Sequence, residues 1–312
     1  MPDKDGGLPG VVTLATAIDS NSSRAAAPRV GSIGFRTAAL RHRALNDTGI
    51  LRIAEQFLLN TRLERNSPET LHSIAGYFTD PAVVMMSLQG AEYTTGARTL
   101  TLPRSQPLRM QLSEAIGRRR SVRSFTGDAV DYTSIATLLR SGGGITGQAQ
   151  VDIGEAEPRR IGFRAVPSGG GLYPIELVIA ALNVKSLGKG LYRYNPRGDL
   201  LVEIGNETAL TRLMTCFSVN EDMIAMSRAG AIFLMVGRPW KTMRKYGDRG
   251  MRFVFMESGC IAQNIHLAAV ALGLGSVDCG AVFDDEVHSV LNIDGTFEAL
   301  IHTLVVGTSG EA

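Results

Sequence analysis

Two predominantly apolar stretches constrain the fold of this chain more than any other feature of its sequence. Residues 175–184 (IELVIAALNV) and 229–236 (AGAIFLMV) lack the polar alternation of a strand that faces water on one side. Short runs of this kind are typical of strands buried on both faces of a sheet. Residues 252–274 form a longer apolar stretch that ends near Gly273 and Gly275, which predicts a buried helix. These stretches predict an α+β fold in which helices cover a central sheet.

The composition excludes several classes of protein. The 312 residues carry a net charge of +2, and the densest basic run is short, at 118–120, so a nucleic-acid partner is not expected. The 3 cysteines are widely spaced and the 5 histidines lack ligand spacing, which predicts reduced thiols and no metal site. The first residues lack a secretory signal, and no apolar stretch reaches membrane-spanning length. A cytoplasmic protein with no membrane partner is therefore expected.

The chain divides into three predicted parts. Residues 1–30 are rich in Ser, Ala, Gly and Asp and are expected to form a disordered tail. Residues 31–110 are expected to form a helical extension and connector, and residues 111–312 the main domain. The extension has predicted helices over 50–59 and from Ser67, then a connector over 91–106; the main domain has predicted helices over 112–119, 132–140 and 284–291, a hairpin over 190–204, and strands over 276–282 and 299–306.

A basic segment follows the first helix of the main domain. In an extended chain Arg119, Ser121 and Arg123 point to one side, because side chains alternate. Arginine offers planar, bidentate donors that suit a phosphate or ring carbonyl oxygens, and the serine hydroxyl adds a neutral donor. The alternative interpretation is a solvated basic helix end, which the helix dipole favours.

A glycine-rich loop precedes the first buried strand. Pro167, Ser168, Gly169 and Gly170 open the run PSGGGLYP, in which bare N–H groups are able to approach a ligand. A tight turn needs only one glycine, so three in succession favour a ligand-binding loop. A strand follows the glycines and no Gly-Lys-Ser/Thr is present, so this is not a Walker loop.

Two further segments carry reactive groups. Lys245 and Tyr246 lie side by side in a predicted glycine-bounded loop, where they could act as base and acid. Burial, or the cations at Arg244 and Arg249, would depress the lysine pKa. The alternative is an exposed charged loop.

The run DCGA places backbone N–H groups after a strand, where they could face a ligand. A nucleophilic cysteine there is disfavoured because no histidine partner is recognisable nearby. Its residues after the aspartate are Cys279, Gly280 and Ala281.

These segments, in this order and spacing, resemble the SagB-type azoline dehydrogenase branch of the nitroreductase superfamily. The resemblance covers residues 112–307 and rests on the motifs RRRSVRSF, VPSGGGLYPIE, GLYRYNP, KYGDRGMRFVFMESG, AQN, ALGLG and DG. It implies a nitroreductase-like α+β fold with a central, mostly antiparallel sheet flanked by helices. It also implies a domain-embracing homodimer that holds one FMN at each subunit interface.

The resemblance assigns roles residue by residue. Lys245 and Tyr246 match the catalytic lysine–tyrosine pair of the azoline dehydrogenases. Thr308 and Ser309 stand where the superfamily often has a basic phosphate-binding residue, and Cys260 replaces the usual histidine, so no role is carried over to these three. The residues that match flavin-binding segments are Arg119, Ser121 and Arg123, then Pro167, Ser168, Gly169 and Gly170, and then Cys279, Gly280 and Ala281.

The function implied is FMN-dependent oxidation of thiazolines or oxazolines to thiazoles or oxazoles in a ribosomally made peptide. The expected partners are the azoline-containing precursor peptide and cyclodehydratase proteins. Three alternatives remain: an NAD(P)H-dependent nitro- or quinone reductase, a non-catalytic flavin-binding scaffold, and oxidation of a thiazoline on a nonribosomal carrier protein.

Overall fold

The computed structural model describes residues 53–62, 96–151 and 159–310. The chain separates into two compact units, Met1–Glu64 and Arg65–Ala312. In the first unit the described element is helix α1, Ile53–Asn60, which agrees with the helix predicted over 50–59. The predicted tail and the helix predicted from Ser67 lie outside the described residues.

The second unit is an α+β domain around a seven-stranded sheet. Its early elements are strand β1 (Thr99–Thr101), helix α2 (Leu112–Arg118), strand β2 (Val130–Asp131), helix α3 (Tyr132–Gly143), the antiparallel strands β3 (Ile145–Val151) and β4 (Arg159–Arg164), and strands β5 (Ile175–Ala181), β6 (Val184–Lys185), β7 (Gly190–Asn195) and β8 (Leu200–Gly205).

The remaining elements complete the sheet and its cover. They are helix α4 (Glu207–Thr215), strand β9 (Ala231–Gly237), helix α5 (Pro239–Tyr246), helix α6 (Gly250–Ala271), strand β10 (Leu274–Asp278), helix α7 (Asp284–Leu291) and strand β11 (Ala299–Thr308).

The large sheet has the strand order β1-β8-β7-β5-β9-β11-β10, and every neighbouring pair is antiparallel. Strands β5 and β9 lie in the middle, and all seven residues of each are buried. This burial explains why their sequences are apolar without alternation. A central antiparallel sheet flanked by helices was predicted, and the structure confirms it.

Each face of the sheet has its own apolar core. One core includes Ile135 and Leu139 from α3 and Ile261 and Ile265 from α6. The other is covered by α4 and α7, through Leu213 and other buried side chains. Burying such side chains contributes about 1.5–3 kcal/mol each. The sheet is therefore fixed from both sides, and its strand ends are free to carry a site.

Glycines allow two close contacts between helices, and the first of them explains a difference from the sequence prediction. Helix α3 was predicted to end before the glycines at 142–144, but it continues through Gly142, where a Cβ would lie 3.0 Å from Ile265 on α6. The glycine is thus part of a close helix–helix contact. At Gly250 a Cβ would lie 2.6 Å from the backbone of Thr242, so α5 and α6 also approach closely.

The segment Pro239–Ala271 has the length and the mean hydropathy, 1.2, of a membrane-spanning helix, which differs from the sequence expectation. Half of its apolar window is buried inside the fold. Gly247, with φ 55°, interrupts the segment between α5 and α6, and Glu257 and His266 are buried within α6. These features are typical of a helix in the core of a folded domain.

Candidate functional site

The structure brings the glycine loop and the lysine–tyrosine pair together. A Cβ built on Gly170 would lie 2.6 Å from the Tyr246 hydroxyl and 2.9 Å from Lys245 Nζ. The loop backbone therefore passes directly over both functional groups, and only glycine permits this approach. We call residues 167–170 together with Lys245 and Tyr246 the loop group.

The loop is held in a specific conformation. Gly170, Gly171 and Tyr173 have φ values of 66°, 68° and 47°, and the tyrosine is a residue that rarely adopts this region. Two hydrogen bonds fix it: Tyr173 N donates to Ser168 Oγ at 2.8 Å, and Arg164 N donates to the Tyr173 hydroxyl at 3.0 Å. Non-glycine residues with positive φ are held by their surroundings and cluster at functional sites.

Lys245 and Tyr246 lie at the end of helix α5, and the prediction that they lie in a loop was wrong. Pro239 at the start of α5 favours a helix there because its fixed φ suits the first turn. The helix places Lys245 inward, with 6% of its surface exposed. Its ammonium lies 5.4 Å from the centre of the Tyr246 ring.

Phe253 of α6 supports both parts of the loop group. Its ring meets the Tyr246 ring edge to face, with centroids 4.8 Å apart. A Cβ on Gly169 would lie 3.0 Å from Phe253 Cγ, so the same ring also packs against the loop. This contact leaves little room for the tyrosine to move away from Gly170.

Burial changes the acid–base properties of this region. It lowers the pKa of Lys245, and the neighbouring cations invoked from the sequence are not the cause. Burial also raises the pKa of Glu257, which outweighs the opposing effects of the Ser168 hydroxyl and Arg164. Glu257 accepts a hydrogen bond from Ile175 N at 3.2 Å, so it lies under the loop at the start of β5. A lysine of lowered basicity is suited to accept a proton near neutral pH.

The other predicted residues form a second group at the edge strand β10. Ser121 forms a bridge with Ser276, and a Cβ on Gly275 would lie 2.6 Å from Val122 Cγ1. Val122 is partly buried whereas Ser121 and Arg123 are exposed, so the alternation is present over residues 121–123. It does not extend to Arg119, which is partly buried beside the exposed Arg120. We call residues 119–123 and 279–281 the edge group.

The basic helix end proposed as an alternative applies to part of the segment. Arg120 donates to the carbonyl oxygens of Gly117 and Arg119, and Arg118 pairs with Glu114 at 3.0 Å. Arg123 makes one long hydrogen bond, 3.3 Å, to Ser121 O and has its guanidinium at the surface. The segment thus contains arginines that bind the helix end, Arg118 and Arg120, and one arginine, Arg123, whose guanidinium faces solvent.

The end of β11 lies beside this segment. Ser309 forms a bridge with Phe125, and Thr126 N donates to Thr308 O at 2.9 Å. Thr308 and Ser309, which stand where the superfamily often has a basic residue, therefore lie next to the edge group.

The strand that precedes Cys279 ends in a polar anchor. Asp278 accepts hydrogen bonds from His266 Nε2 at 3.1 Å and from His302 Nε2 at 2.7 Å, while His266 Nδ1 lies 2.7 Å from Ser276 Oγ. These hydrogen bonds hold the pKa of Asp278 far below its usual range, and the bond from His266 has the largest effect. The start of the 279–281 turn is fixed by this anchor.

The turn itself presents one open backbone position. Cys279 N donates to Thr303 O at 3.0 Å, and the Thr303 hydroxyl donates to Cys279 O. Burial raises the pKa of the Cys279 thiol, so it is a poor nucleophile. Gly280 is exposed, and a Cβ there would meet nothing within 4 Å, so this residue is the accessible part of the turn.

The loop group and the edge group are separated on one chain. Strands β9 and β11 lie between β5 and β10, which places the two strands about 14 Å apart across the sheet. The pairing of neighbouring strands places Asp278 of β10 level with Ile179 of β5, across the two strands between them. Ile179 lies roughly 13 Å along β5 from Ile175, where the loop group is.

The 279–281 turn leaves β10 toward the end of the sheet where the loop group lies, whereas Ser121, paired with Ser276, is level with Ala181 at the opposite end of β5. The intervening strands keep both parts of the edge group away from the loop group.

A cavity of about 490 Å³ adjoins the loop group. Gly170 and Gly171 form one wall, and the hairpin β3–β4 forms another through Ile161 and Phe163. Lys241 of α5, 3% exposed, also lines it. The sequence interpretation missed Lys241 and Glu257; the spacing of Lys241 four residues before Lys245 was the available signal, since it places both on one face of a helix.

The fold and these groups define a member of the nitroreductase family, whose sequence profile matches residues 116–308. The chain belongs to this family. MJ1384 of Methanocaldococcus jannaschii, which carries a nitroreductase name, is 32% identical over 189 residues, covering 59% of this chain and 85% of that protein.

The names of two relatives describe them as peptide-processing proteins. The trifolitoxin-processing protein TfxB of Rhizobium leguminosarum bv. trifolii is 33% identical over 150 residues, 46% of this chain and 39% of TfxB. The microcin B17-processing protein McbC of Escherichia coli is 26% identical over 135 residues, 42% of this chain and 49% of McbC. The chain thus spans less than half the length of these two relatives. Their presence confirms the resemblance to the SagB-type branch.

Solved structures share the fold. A nitroreductase-type protein of Anabaena variabilis superposes with a TM-score of 0.55 at 24% identity, covering 71% of this chain and 45% of that chain. A chain of the E. coli McbBCD complex with truncated pro-MccB17 bound gives 0.51 at 19% identity, covering 99% and 100%.

Proposed function

We propose that this protein is an FMN-dependent azoline dehydrogenase that oxidises thiazolines or oxazolines of a ribosomally made peptide to thiazoles or oxazoles. The observation that carries the proposal is the close approach of Gly170 to both Lys245 Nζ and the Tyr246 hydroxyl, which leaves no room for a Cβ. The names of TfxB and McbC support a peptide as substrate. We also propose that the protein acts in the cytoplasm with the precursor peptide and cyclodehydratase proteins.

The residues of the two groups fit FMN. Arg123 presents an exposed guanidinium beside the exposed Ser121 hydroxyl, a donor pair that suits phosphate or pyrimidine oxygens. Gly280 offers an open backbone position, and residues 167–170 offer a loop with bare N–H groups. The residues that would hold the cofactor are Arg119, Ser121, Arg123, Pro167, Ser168, Gly169, Gly170, Cys279, Gly280 and Ala281.

The separation of the groups supports a homodimer. The edge group of one subunit and the loop group of the other would then form one FMN site at each interface. Exposed apolar side chains on α2 and α6 suit burial against a second copy: Leu112 is 66% exposed, Ile116 56% and Met256 64%. Sedimentation of the purified protein tests this, and a monomer that retains FMN would contradict it.

Lys245 and Tyr246 carry the proton chemistry in this proposal. The ring α-proton of an azoline lies beside both a C=N and a carbonyl group and is therefore acidic. Neutral Lys245 takes this proton, and the Tyr246 hydroxyl orients the ring or donates a hydrogen bond to it. The chemistry supplied by bound FMN is acceptance of the hydride that leaves the adjacent carbon. Oxidation removes one proton and one hydride, and the aromatic product favours the forward direction.

The test is anaerobic reduction of the purified flavoprotein. We expect a thiazoline peptide to bleach the flavin absorbance, with loss of two hydrogens from the peptide by mass spectrometry. NADPH alone should bleach it much more slowly. A protein purified without flavin, or one that the thiazoline peptide does not bleach, would contradict the proposal.

The second candidate is an NAD(P)H-dependent nitro- or quinone reductase, which the nitroreductase name of MJ1384 favours. Rapid bleaching by NADPH, followed by reoxidation with a quinone, would support it. The non-catalytic scaffold is tested by Lys245→Ala: a scaffold supports heterocycle formation by its partners as well with this substitution as without it. The neighbouring genes distinguish a ribosomal peptide from a carrier-bound substrate.

A further inference from the structure

The cavity beside the loop group has a mixed apolar and charged lining. Its apolar wall comes from the hairpin β3–β4, through Ile145, Ile161 and Phe163, and from Tyr194 of β7. Its volume of about 490 Å³ lies in the range of small-ligand sites. The cavity is therefore large enough for a peptide segment that carries a five-membered ring.

Positive charge predominates in the lining. Arg164, Arg197 and Lys241 face the cavity, and Glu176 is the acidic residue among its lining residues. Glu176 is already paired, with Arg193 at 3.1 Å and with Arg238 at 3.4 Å. Its charge is thus compensated within the protein, and the cavity suits a ligand with an anionic group.

Lys241 lies close to the reactive pair. It lies four positions before Lys245 on helix α5, which corresponds to about 6 Å along the helix axis. Both lysines are buried, and Gly170 lines the cavity at a position where a Cβ would lie 2.9 Å from Lys245 Nζ. A ligand group bound at Lys241 would lie within about two residues of a ring presented to Lys245, since consecutive Cα atoms are about 3.8 Å apart.

We propose that this cavity binds a carboxylate of the substrate peptide, held by Lys241, and that the enzyme selects azolines with an acidic group nearby. The inference deepens the proposed function and rests on it for the identity of the peptide. The carboxylate comes either from an aspartate or glutamate next to the ring or from the peptide C-terminus, and the experiment distinguishes these sources.

The ionisation of Lys241 gives the site a pH dependence. Burial, then Arg164, lowers its pKa to about 8, and Arg238 acts in the same direction against Glu176 and Glu257. Lys241 is charged below this pH, so the preference for a carboxylate should decline as the pH rises through about 8. Lys245, on the same helix, also titrates, and Lys241→Met separates the two contributions because it leaves Lys245 in place.

The experiment measures binding without turnover. Probes are short peptides that already contain a thiazole, so they cannot be oxidised further. One pair carries Asp or Asn immediately before the ring, a second pair carries them immediately after it, and a third ends in a free carboxylate or an amide. Affinity is measured by calorimetry with the full-length flavoprotein, or with the chain as purified if it holds no flavin.

We expect at least one acidic probe to bind about 10- to 100-fold more tightly than its neutral partner, the usual worth of a hydrogen bond to a charged group. The pair that shows the preference identifies the source of the carboxylate. In Lys241→Met the ratio should fall toward one, and in Lys241→Arg it should persist. Lys185→Met, a substitution of an exposed lysine, is the matched control and should keep the wild-type ratio.

Two outcomes in the peptide titrations would overturn the inference: equal affinity within all three pairs, or an acid preference that survives Lys241→Met. A third is NADPH binding that depends on Lys241 and displaces no peptide, because Lys241 would then serve a different ligand. The wild-type comparison alone decides the first, so it does not depend on the folding of a variant. Selective binding without flavin bleaching by a thiazoline would reject the proposed function only. Bleaching without charge preference would reject the inference only.

Discussion

The loop group and the edge group treat charge in opposite ways. Around the loop, burial lowers the pKa of Lys245 and raises that of Glu257, so both side chains are pushed toward their neutral forms. At the edge, hydrogen bonds from His266 and His302 hold Asp278 in its charged form. The first environment favours groups that exchange protons, whereas the second favours a group that keeps its charge and its position.

This difference suggests a division of work between the regions. A lysine that is easily deprotonated is suited to acid–base chemistry. An aspartate with two histidine partners is suited to fixing the backbone of the turn that follows it. The predictions below test whether proton transfer depends on the first region and cofactor binding on the second.

Lys245→Ala should have the largest effect on activity. We expect turnover of a thiazoline peptide to fall about 10²–10⁴-fold, the usual contribution of a general base. The protein should retain its FMN, measured by absorbance after gel filtration, because the edge group is intact. Full activity in this variant would remove the distinction between the regions, and Lys185→Ala serves as an exposed control.

The pH dependence of the wild-type reaction sharpens this prediction. Because the neutral lysine is the active form, kcat/KM should rise with pH and level off above the lysine pKa. Burial lowers that pKa, so the rise should occur below the range of an ordinary lysine. Lys245→Arg should remain inactive across the same range, because arginine stays protonated.

Gly170→Ala should reduce turnover about 10- to 100-fold through displacement of the reactive pair. Gly171→Ala is a closely matched control. The two glycines have nearly the same φ, 66° and 68°, so both substitutions carry the same backbone strain, about 1–2 kcal/mol. Only the Cβ at 170 would contact Tyr246 and Lys245, whereas at 171 it meets nothing within 4 Å. Equal losses of activity would show that strain, rather than contact, is responsible.

Arg123→Gln should weaken FMN binding about tenfold, since a charge-assisted hydrogen bond contributes roughly 1.5–3 kcal/mol before solvent screening. Turnover at saturating FMN should change little by comparison. The measurement is a flavin titration at two ionic strengths, and the loss should be smaller at high salt. Arg98→Gln, an exposed arginine beside β8, is the control. A larger effect on turnover than on FMN affinity would place Arg123 with the loop group in function.

Asp278→Asn should have the smallest effect, a loss of about 1–2 kcal/mol in the free energy of unfolding, because the side chain is half-exposed. The folded-state pKa is depressed, so the aspartate stabilises the fold above its unfolded pKa of about 3.9, and this contribution is lost as the pH falls below it. Denaturant unfolding should therefore show the difference at pH 7 and little of it near pH 2. Asp131→Asn is the exposed control.

Much of the fold could be predicted from uniform apolar runs. Strands β5 and β9 and helix α6 are buried on several sides, so their residues carry the pattern directly. Strand β1 has three residues and lay within the predicted connector, and strand β3 is polar on its exposed side. Neither has an apolar pattern strong enough to be found without its pairing partner.

The sequence predicted which residues belong to the candidate site, but not which of them contact one another or which elements carry them. The end of helix α5, Lys245 and Tyr246, was predicted as a loop. Lysines at inward helix positions, as at 241 and 245, run against the pattern that places charged residues at the surface. The role of Glu257 depends on contact with Ile175, from a distant part of the sequence. Contacts of this kind depend on tertiary structure, which local sequence patterns do not reveal.

The strand order has a consequence during protein synthesis. Strand β9 pairs with β5, which precedes it in the chain, and with β11, which is made much later. At about 5–20 residues per second, β11 follows β9 by on the order of several seconds. Throughout this interval the second edge of β9, a wholly apolar strand, is open to other chains. The edge that later lies at the centre of the sheet is therefore, during synthesis, the part of the chain most exposed to aggregation.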